Sequence, residues 1–512
     1  MIQAGTKTPN LEEIKMPKLQ RNDYFDTTRD MNWDLSYVTE EEAFPEALSK
    51  SFGISNREWS SWDEPYKLTF PEYIHNQAGK DAGIYTIRST IARSDTYDKL
   101  DPGWKSAVKA HYGTIPYGEA YAGIAEARMA RFGRAAAWRN VAAFGTLDET
   151  RHCQAQIFFP YCLLDKDPQM DWANKTMHTD SLVAIAQRSL LDDMITANDA
   201  VSIAIQLTFT LEAGFTNIQF LGVSGDALRI GDIEFGALIS SIQTDEARHS
   251  QQGEPTLKIL RNAGKGPEAQ KLVDLAFWRQ WKLFGLLTGI SMDYYTPLEH
   301  RSMSFKEFMQ DWICRQFMDQ FKDLGMDAPW YWEEHFLPEM EWYHHAQQLA
   351  VWFLRPAVFW DPDAGVSMQE RDWLEQKYPG WNDTFGKCWD VIVDNVREGR
   401  MEKTYPETLP VLCNCCQLPI CSPSVGKAPL ISSHNGRKLT FCSDPCQWVW
   451  HSQPERYDTQ LTIIDRLLAG KIQPANMEGV MKYMGCTDPN VTGNDAANYA
   501  WAKEERLRLA AE

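Results

Sequence analysis

From about residue 82 to 350, apolar residues recur at three- and four-residue spacings among Ala, Leu, Met, Arg and Glu, and Pro and Gly fall largely at breaks. That period predicts several long helices. One stretch, Ala200 to Gly225 (AVSIAIQLTFTLEAGFTNIQFLGVSG), carries a single formal charge, Glu212. Gln206, Thr216, Asn217 and Gln219 interrupt its apolar run, so it reads as a helix buried on all sides within a bundle rather than a membrane span. Residues 1–70 are rich in aromatics, acids and turn formers (NWDLSYVTEEEAFPE, REWSSWDEPYKLTFPEY) and predict an irregular arm wrapped on a larger body. From about residue 355 the chain turns to Pro-Asp and Pro-Gly punctuation (FWDPDAG, KYPGW), a cysteine cluster and the β-prone run Arg437 to Cys442. The predicted organisation is an arm (1–70), a mainly α helical domain (71–400) and a small α+β C-terminal region (401–512).

Composition narrows the function. Lys and Arg total 51 against 70 Asp and Glu, a formal net charge of −19, which disfavours a grip on nucleic acid phosphates. The first residues, MIQAGTKTPNLEEIKMPKLQ, have no apolar core followed by a small-residue cleavage site, so a cytoplasmic protein without membrane attachment is expected. Eleven cysteines are too few for a disulfide framework in 512 residues, and six of them crowd between Cys413 and Cys446. Crowding of that kind points to metal.

The chemistry sits in two pentapeptides of one pattern, D-E-x-R-H: Asp148-Glu149-Thr150-Arg151-His152 and Asp245-Glu246-Ala247-Arg248-His249. Glu and His three residues apart project from one helix face, so each pair can offer a carboxylate oxygen and an imidazole nitrogen to one metal ion. A lone E-x-x-H is common by chance, since helical Glu and His mostly face solvent; the duplicate with identical flanks is far more specific. Each pair has an upstream carboxylate on a preceding helix, Glu119 lying 30 residues before Glu149 and Glu212 lying 34 before Glu246. An ionised Glu212 inside so apolar a helix is costly unless it is paired or metal-bound. Four carboxylates and two imidazoles predict a ferritin-like helical bundle around a carboxylate-bridged pair of iron or manganese ions. Asp148 and Asp245 are placed to orient the histidines, with Arg151 and Arg248 offsetting negative charge.

Helical phase relative to these ligands assigns Ile115, Gly118, Ala122, Gln156, Leu211 and Phe215 to an apolar substrate pocket. A second metal site is read in Cys413, Cys416, Cys442 and Cys446, whose C-x₂-C and C-x₃-C knuckles are 25 residues apart and suit a closed, structural zinc. Cys415, Cys421 and His434 are spare candidates. There is no G-x-G-x-x-G fingerprint, so electrons are expected from another protein.

The stretches HYGTIPYGEAYAGIAEARMARF, FGTLDETRHCQAQIFFP, LTFTLEAGFTNIQFLG, LISSIQTDEARHSQQG and MDYYTPLEHRSMSFKEFM resemble the large subunit of bacterial multicomponent monooxygenases, nearest the toluene and alkene monooxygenase hydroxylases. The likeness runs from about residue 22 to the C-terminus. It implies a diiron centre held by Glu119, Glu149, His152, Glu212, Glu246 and His249, with O₂ as co-substrate. It also assigns Thr216 to oxygen activation or proton delivery, though a buried Thr can equally bond the carbonyl four residues back. Asn217 and Gln243 fall where the family has the polar gates of a small pore. The implied reaction is hydroxylation or epoxidation of small hydrocarbons, aromatic ones first, with an alkene- or isoprene-type enzyme as the alternative. The implied partners are two further hydroxylase subunits in a dimer of trimers, a small effector protein, and a ferredoxin or reductase drawing on NADH. Ribonucleotide reductase small subunits place a radical tyrosine where this chain has Gln156, and acyl desaturases fit the C-terminal region poorly.

Overall fold

The structure is a computed structural model that describes residues 20–29, 36–63, 65–168, 170, 180, 182–192, 199–354, 367–398, 410–420 and 429–484. The boundary expected at residue 400 and the spare candidate Cys421 lie outside the described residues. The described chain is mainly helical, as the apolar period predicts.

Two helical hairpins carry the architecture. In the first, α1 (Phe70–Arg93) lies across a tight pair, α2 (Pro102–Phe132) and α3 (Ala136–Leu163). Asp101 starts α2 by accepting from the amides of Gly103 (2.8 Å) and Trp104 (3.4 Å), and Pro102 occupies the first helical position, where no donor is needed. Three residues join α2 to α3, so the two must pack antiparallel. Their close approach depends on Gly145, because a Cβ there would sit 2.6 Å from Cδ of Glu126.

After α4 (Leu182–Asp192), the second hairpin opens with a long rod, α5. It is α-helical over Ala200–Ile203, takes π geometry through Ala204–Phe215 and Ile218–Val223, and returns to α over Ser224–Ile230. Asp199 caps its start on the amides of Val201 and Ser202, both at 3.0 Å. Every residue from Ala200 to Phe215 is buried, as read from the apolar run. Two residues then lead into α6 (Ile233–His249), capped by Asp232. The E-x-x-H segments therefore sit on the second helix of each hairpin and the lone glutamates on the first.

α7 (Gly253–Asn262) and the buried α8 (Gly266–Ile290) close the bundle behind α5, and α9 (Tyr343–Leu354) packs against α8. The described arm holds only short helices, Arg21–Thr28, Glu40–Ala43, Glu46–Ser49 and Asn56–Trp59. It is fastened by Trp59 and Trp62, whose rings stack on Trp138 at 6.1 and 5.8 Å, and by the Trp62 indole, which donates to Thr256 Oγ1 at 3.0 Å.

The C-terminal region contributes an antiparallel hairpin, β1 (Leu430–His434) and β2 (Arg437–Phe441), paired from Leu430↔Phe441 to His434↔Arg437. Its turn is Asn435-Gly436, both with positive φ (48° and 78°), which suits the right-handed strand twist. α10 (Asp444–Ser452) follows, and its apolar residues join the same core as α8.

Candidate metal centre and cavity

The two hairpins bring the six predicted side chains together, all of them buried. Two overlapping sets have their donor atoms within 4.8 Å of one another: Glu119, Glu149, His152 and Glu246, and Glu149, Glu212, Glu246 and His249. Glu149 and Glu246 belong to both sets, so they could serve two ions, with Glu119 and Glu212 each in one set.

The donor atoms fit such ions. Glu149 Oε2, both Glu212 oxygens, Glu246 Oε1 and His152 Nδ1 are buried and have no hydrogen-bond partner among the described residues. His152 Nδ1 lies 3.0 Å from a Glu246 oxygen without hydrogen-bond alignment. Leaving so many polar atoms unsatisfied costs about 1–3 kcal/mol each, more for charged groups, and cations remove that penalty. The electrostatics agree. Burial and then the charges of Glu149 and Glu246 push the Glu119 carboxyl well above the carboxylate range; burial, then Glu246, does the same to Glu212.

A layer of charge behind the site crosses between the motifs. Asp245 accepts from Nε2 of His152 at 3.2 Å, and Asp148 accepts from Nε2 of His249 at 2.9 Å, so each aspartate serves the other motif's histidine. Both imidazoles thereby turn Nδ1 toward the carboxylates. Arg151 donates to Asp245 at 3.0 Å and to Asp81 at 2.5 Å, while Arg248 pairs with Asp148. Gln77 of α1 donates to both aspartates, at 2.5 and 2.9 Å, and Lys80 reaches Asp245 at 2.5 Å.

Beside the carboxylates lies a largely apolar cavity of about 60 Å³. Ile115, Gly118, Ala122 and Leu211 line it, together with Thr216. Two expected residues do not. Phe215 is fully buried in an aromatic cluster with Phe277, Phe284 and Phe317. Gln156 lies behind Glu119 instead, donating to its Oε1 at 2.5 Å. In their place the wall has Gln187 and Leu191 of α4, Leu207, Gln219 and Phe220 of α5, and Leu283, Phe284 and Leu287 of α8. The α4 and α8 residues had no phase relation to a ligand that sequence could supply.

Thr216 lines the cavity and also makes the local bond open to it, its hydroxyl donating to the Glu212 carbonyl at 2.9 Å. Asn217 is half-buried and turned from the cavity, donating to Ala213 O at 3.0 Å and to Gln316 Oε1 at 3.2 Å. Gln243 is half-buried on α6.

The sequence reading missed a buried chain of hydrogen bonds. Gln219 Nε2 meets His111 Nδ1 at 2.6 Å, His111 Nε2 meets Gln156 Oε1 at 2.6 Å, and Gln156 continues to Glu119. Burial pulls His111 down to about 3, so it is neutral and carries a hydrogen on one nitrogen only.

The cysteine site also assembles. Cys413, Cys416, Cys442 and Cys446 have sulfurs within 4.8 Å of one another, with Cys442 and Cys446 3.4 Å apart and the Trp278 indole donating to Cys446 at 3.2 Å. Cys415 is buried but outside this set, and His434 stacks edge-on against Trp450 at 4.9 Å.

Fold and site together define a helical-bundle protein with a buried carboxylate-histidine cluster that can hold two metal ions beside an apolar cavity. The sequence profile of the methane/phenol/alkene hydroxylase family matches residues 33–263. The chain is 44% identical to the oxygenase component subunit alpha of the alkene monooxygenase system of Xanthobacter autotrophicus (strain ATCC BAA-1158 / Py2), over 97% of this chain and 100% of that one. It is 27% identical to the oxygenase component of phenol 2-monooxygenase from Pseudomonas sp. (strain CF600), over 94% and 93%. The solved structure of phenol hydroxylase from Pseudomonas sp. OX1 superposes with a TM-score of 0.77 at 25% identity, covering 91% of this chain and 95% of that one. The chain belongs to the methane/phenol/alkene hydroxylase family, on the side of its large subunits.

Proposed function

We propose that this chain is the oxygen-activating subunit of a multicomponent monooxygenase that hydroxylates or epoxidises small hydrocarbons. The observation that carries the reading is the pair of overlapping ligand sets, rich in unpartnered oxygens, opening onto an apolar cavity. Glu119, Glu149 and His152 would hold one iron ion, and Glu212, Glu246 and His249 the other, with Glu149 and Glu246 shared. The two irons, when bound, supply the redox chemistry that splits O₂: one atom enters a C–H or C=C bond and the other leaves as water, consuming two electrons and two protons.

The chain's own residues do the rest. Leu207, Leu211, Phe220 and Phe284 keep bulk water from the reacting atoms and position the substrate. Thr216, whose hydroxyl rests on the Glu212 carbonyl, can swing that hydrogen toward the cavity as a proton donor. Asn217 and Gln243 are assigned to a polar gate. Electrons come from NADH through a reductase, with or without a ferredoxin; two further subunits and a small effector complete the assembly. The four-cysteine site would hold a structural zinc, and the protein acts in the cytoplasm. Aromatic rings and alkenes stand as equal readings for the substrate, since the relative at 44% identity is a subunit of an alkene monooxygenase system and that at 27% a component of phenol 2-monooxygenase.

Metal analysis of the reconstituted complex tests the core. About two irons per chain are expected, and Glu212→Ala should lose iron and turnover together. A Glu212→Ala protein with full iron and full turnover refutes the ligand assignment.

A further inference from the structure

α8 does not stop at Ile290 but runs on through Ser291–Tyr295 with π geometry, and this turn carries Asp293 and Tyr294 against the start of α9. The two elements come close because residue 289 is glycine: a Cβ there would lie 2.6 Å from Cβ of His344. Asp293, His344 and His345 meet at this contact, all three fully buried. Each offers a ligand atom, and the three atoms lie within 4.8 Å of one another. None of the three residues belongs to the carboxylate-histidine cluster or to the cysteine site.

The polar atoms of this contact are only partly paired. Asp293 Oδ1 accepts from the amide of Phe305 at 2.8 Å, and Oδ2 accepts from the Tyr378 hydroxyl at 2.6 Å and meets His344 Nε2 at 2.7 Å. No Lys or Arg among the described residues pairs with this carboxylate, whose ion-pair contact is His344. His345 Nδ1 meets the Tyr294 hydroxyl at 2.8 Å, and the oxygen of that hydroxyl also accepts from the Trp381 indole at 3.3 Å. Each imidazole is thus held on one nitrogen. The other nitrogens, Nδ1 of His344 and Nε2 of His345, are buried and have no partner among the described residues. Phe305 and Phe385, 5.1 Å from the His344 ring and 5.6 Å from the His345 ring, offer them nothing to bond. A buried carboxylate without a Lys or Arg partner beside two half-satisfied imidazoles is unfavourable in so apolar a setting.

We propose that Asp293, His344 and His345 form a further metal site, which takes one divalent transition-metal ion and ties the end of α8 to α9. Two imidazoles and one carboxylate are a donor set suited to borderline ions such as Zn²⁺ and Fe²⁺, whereas Ca²⁺ and Mg²⁺ favour oxygen throughout. Such ions bond at about 2.0–2.2 Å, so ligand atoms on opposite sides of one ion stand up to about 4.2 Å apart. The three atoms therefore need to draw in by only a few tenths of an ångström, even at their widest spread. Tyr294 on His345, and Tyr378 and the Phe305 amide on Asp293, are the outer partners that hold such ligands in orientation. The site is independent of what the cavity beside the carboxylates accepts.

The test uses the purified hydroxylase complex with Zn²⁺ as the probe. Anomalous diffraction at the zinc and iron edges, before and after soaking crystals in Zn²⁺, should place a peak among Asp293, His344 and His345, apart from the cysteine site. In solution, after dialysis against Zn²⁺, mass-spectrometric metal analysis should find about one metal ion per chain fewer in His345→Gln than in wild type. The ions of the other two sites should be retained in that variant. Soaked wild-type crystals with no peak at these three residues, and metal only at the other sites or on the surface, overturn the proposal without any variant. A His345→Gln complex that is folded by circular dichroism and holds as much metal as wild type also overturns it. Should that variant not fold, the wild-type crystals decide alone.

Discussion

Crossed wiring between the motifs makes a quantitative prediction. Asp148 and Asp245 are both fully buried and each bonds the other motif's histidine, but their cationic surroundings differ. Among the described residues Asp148 pairs with one Arg or Lys, Arg248, whereas Asp245 faces Lys80 at 2.5 Å, Arg151 at 3.0 Å and Arg248 at 3.4 Å. Replacing either by Asn keeps the shape and an acceptor oxygen but removes the charge. Breaking one side of a buried ion pair costs about 3–5 kcal/mol. Asp148→Asn should fall toward the bottom of that range, because Arg248 retains Asp245. Asp245→Asn should reach the top, because Lys80 loses its partner and Arg151 is left with the half-exposed Asp81 alone. For iron the two should be alike, since each removes the anion that orients one imidazole, a change worth roughly 10–100-fold in metal affinity. Denaturant midpoints rank the stabilities, and competition with a chelator gives the iron affinities. Equal stabilities, a reversed order, or wild-type iron retention in both variants would refute the crossed arrangement.

Three further outcomes are expected. Zinc should be found besides iron, and Cys416→Ala should release it and loosen the region around β1 and β2 while the iron spectrum stays as in wild type; fresh protein without zinc would remove the claim. Ala122→Phe should shift the position or size of the hydrocarbon oxidised at normal iron content, since an added ring in a tight apolar site costs about 1–3 kcal/mol, enough to exchange one pose for another; unaltered product ratios with toluene, phenol and propene would mean the wrong wall. Burial pushes the Asp274 carboxyl up from 3.8 to about 6, so the folded state holds a proton that the unfolded chain has released, and stability falls as pH rises through that window. Asp274→Asn should therefore be the more stable protein at pH 7, by about 3 kcal/mol at most, and equal to wild type near pH 4 by thermal unfolding.

The carboxylate-histidine cluster was legible because its signal is local and repeated. Glu and His at i and i+3 share a face in any α-helix, and an identical D-E-x-R-H frame in two helices carries the second copy at no extra assumption. The lone glutamates were legible for the same reason: one helix length upstream of each motif, in a hairpin whose connection is two or three residues, only a carboxylate near the middle can meet its partner. The aspartates were read as partners of histidines, but their crossing was not, because sequence order pairs Asp148 with His152 and only the antiparallel stacking of α3 and α6 exchanges them. The hydrogen-bond chain through His111 has no sequence signature, since a buried histidine among apolar residues is written the same way whether or not it joins two glutamines.

The cavity shows where periodicity itself fails. In an α-helix each residue advances about 100°, which sets Phe215 about 60° from Glu212 and Leu207 about 140° away, so phase assigns Phe215 to the site and Leu207 to the back. A π turn closes i→i+5 bonds and advances only about 82° per residue, which swings Phe215 to about 114° and brings Leu207 to about 50°. α5 is π-helical from Ala204 to Phe215, and the observed wall follows the second set of angles: Leu207 lines the cavity and Phe215 packs behind it. Thr216 stays near the ligand face in either geometry, about 40° or about 32° away, so its placement survived the wrong period. The distortion also accounts for the threonines of this segment, since Thr208 and Thr210 turn their hydroxyls back to the carbonyls of Ala204 and Gln206, at 2.5 and 2.7 Å, supplying donors where a widened turn strains the backbone ladder. The widened turn thus holds the Glu212 carboxyl in the carboxylate-histidine cluster while turning the large aromatic three residues later away from the cavity beside it.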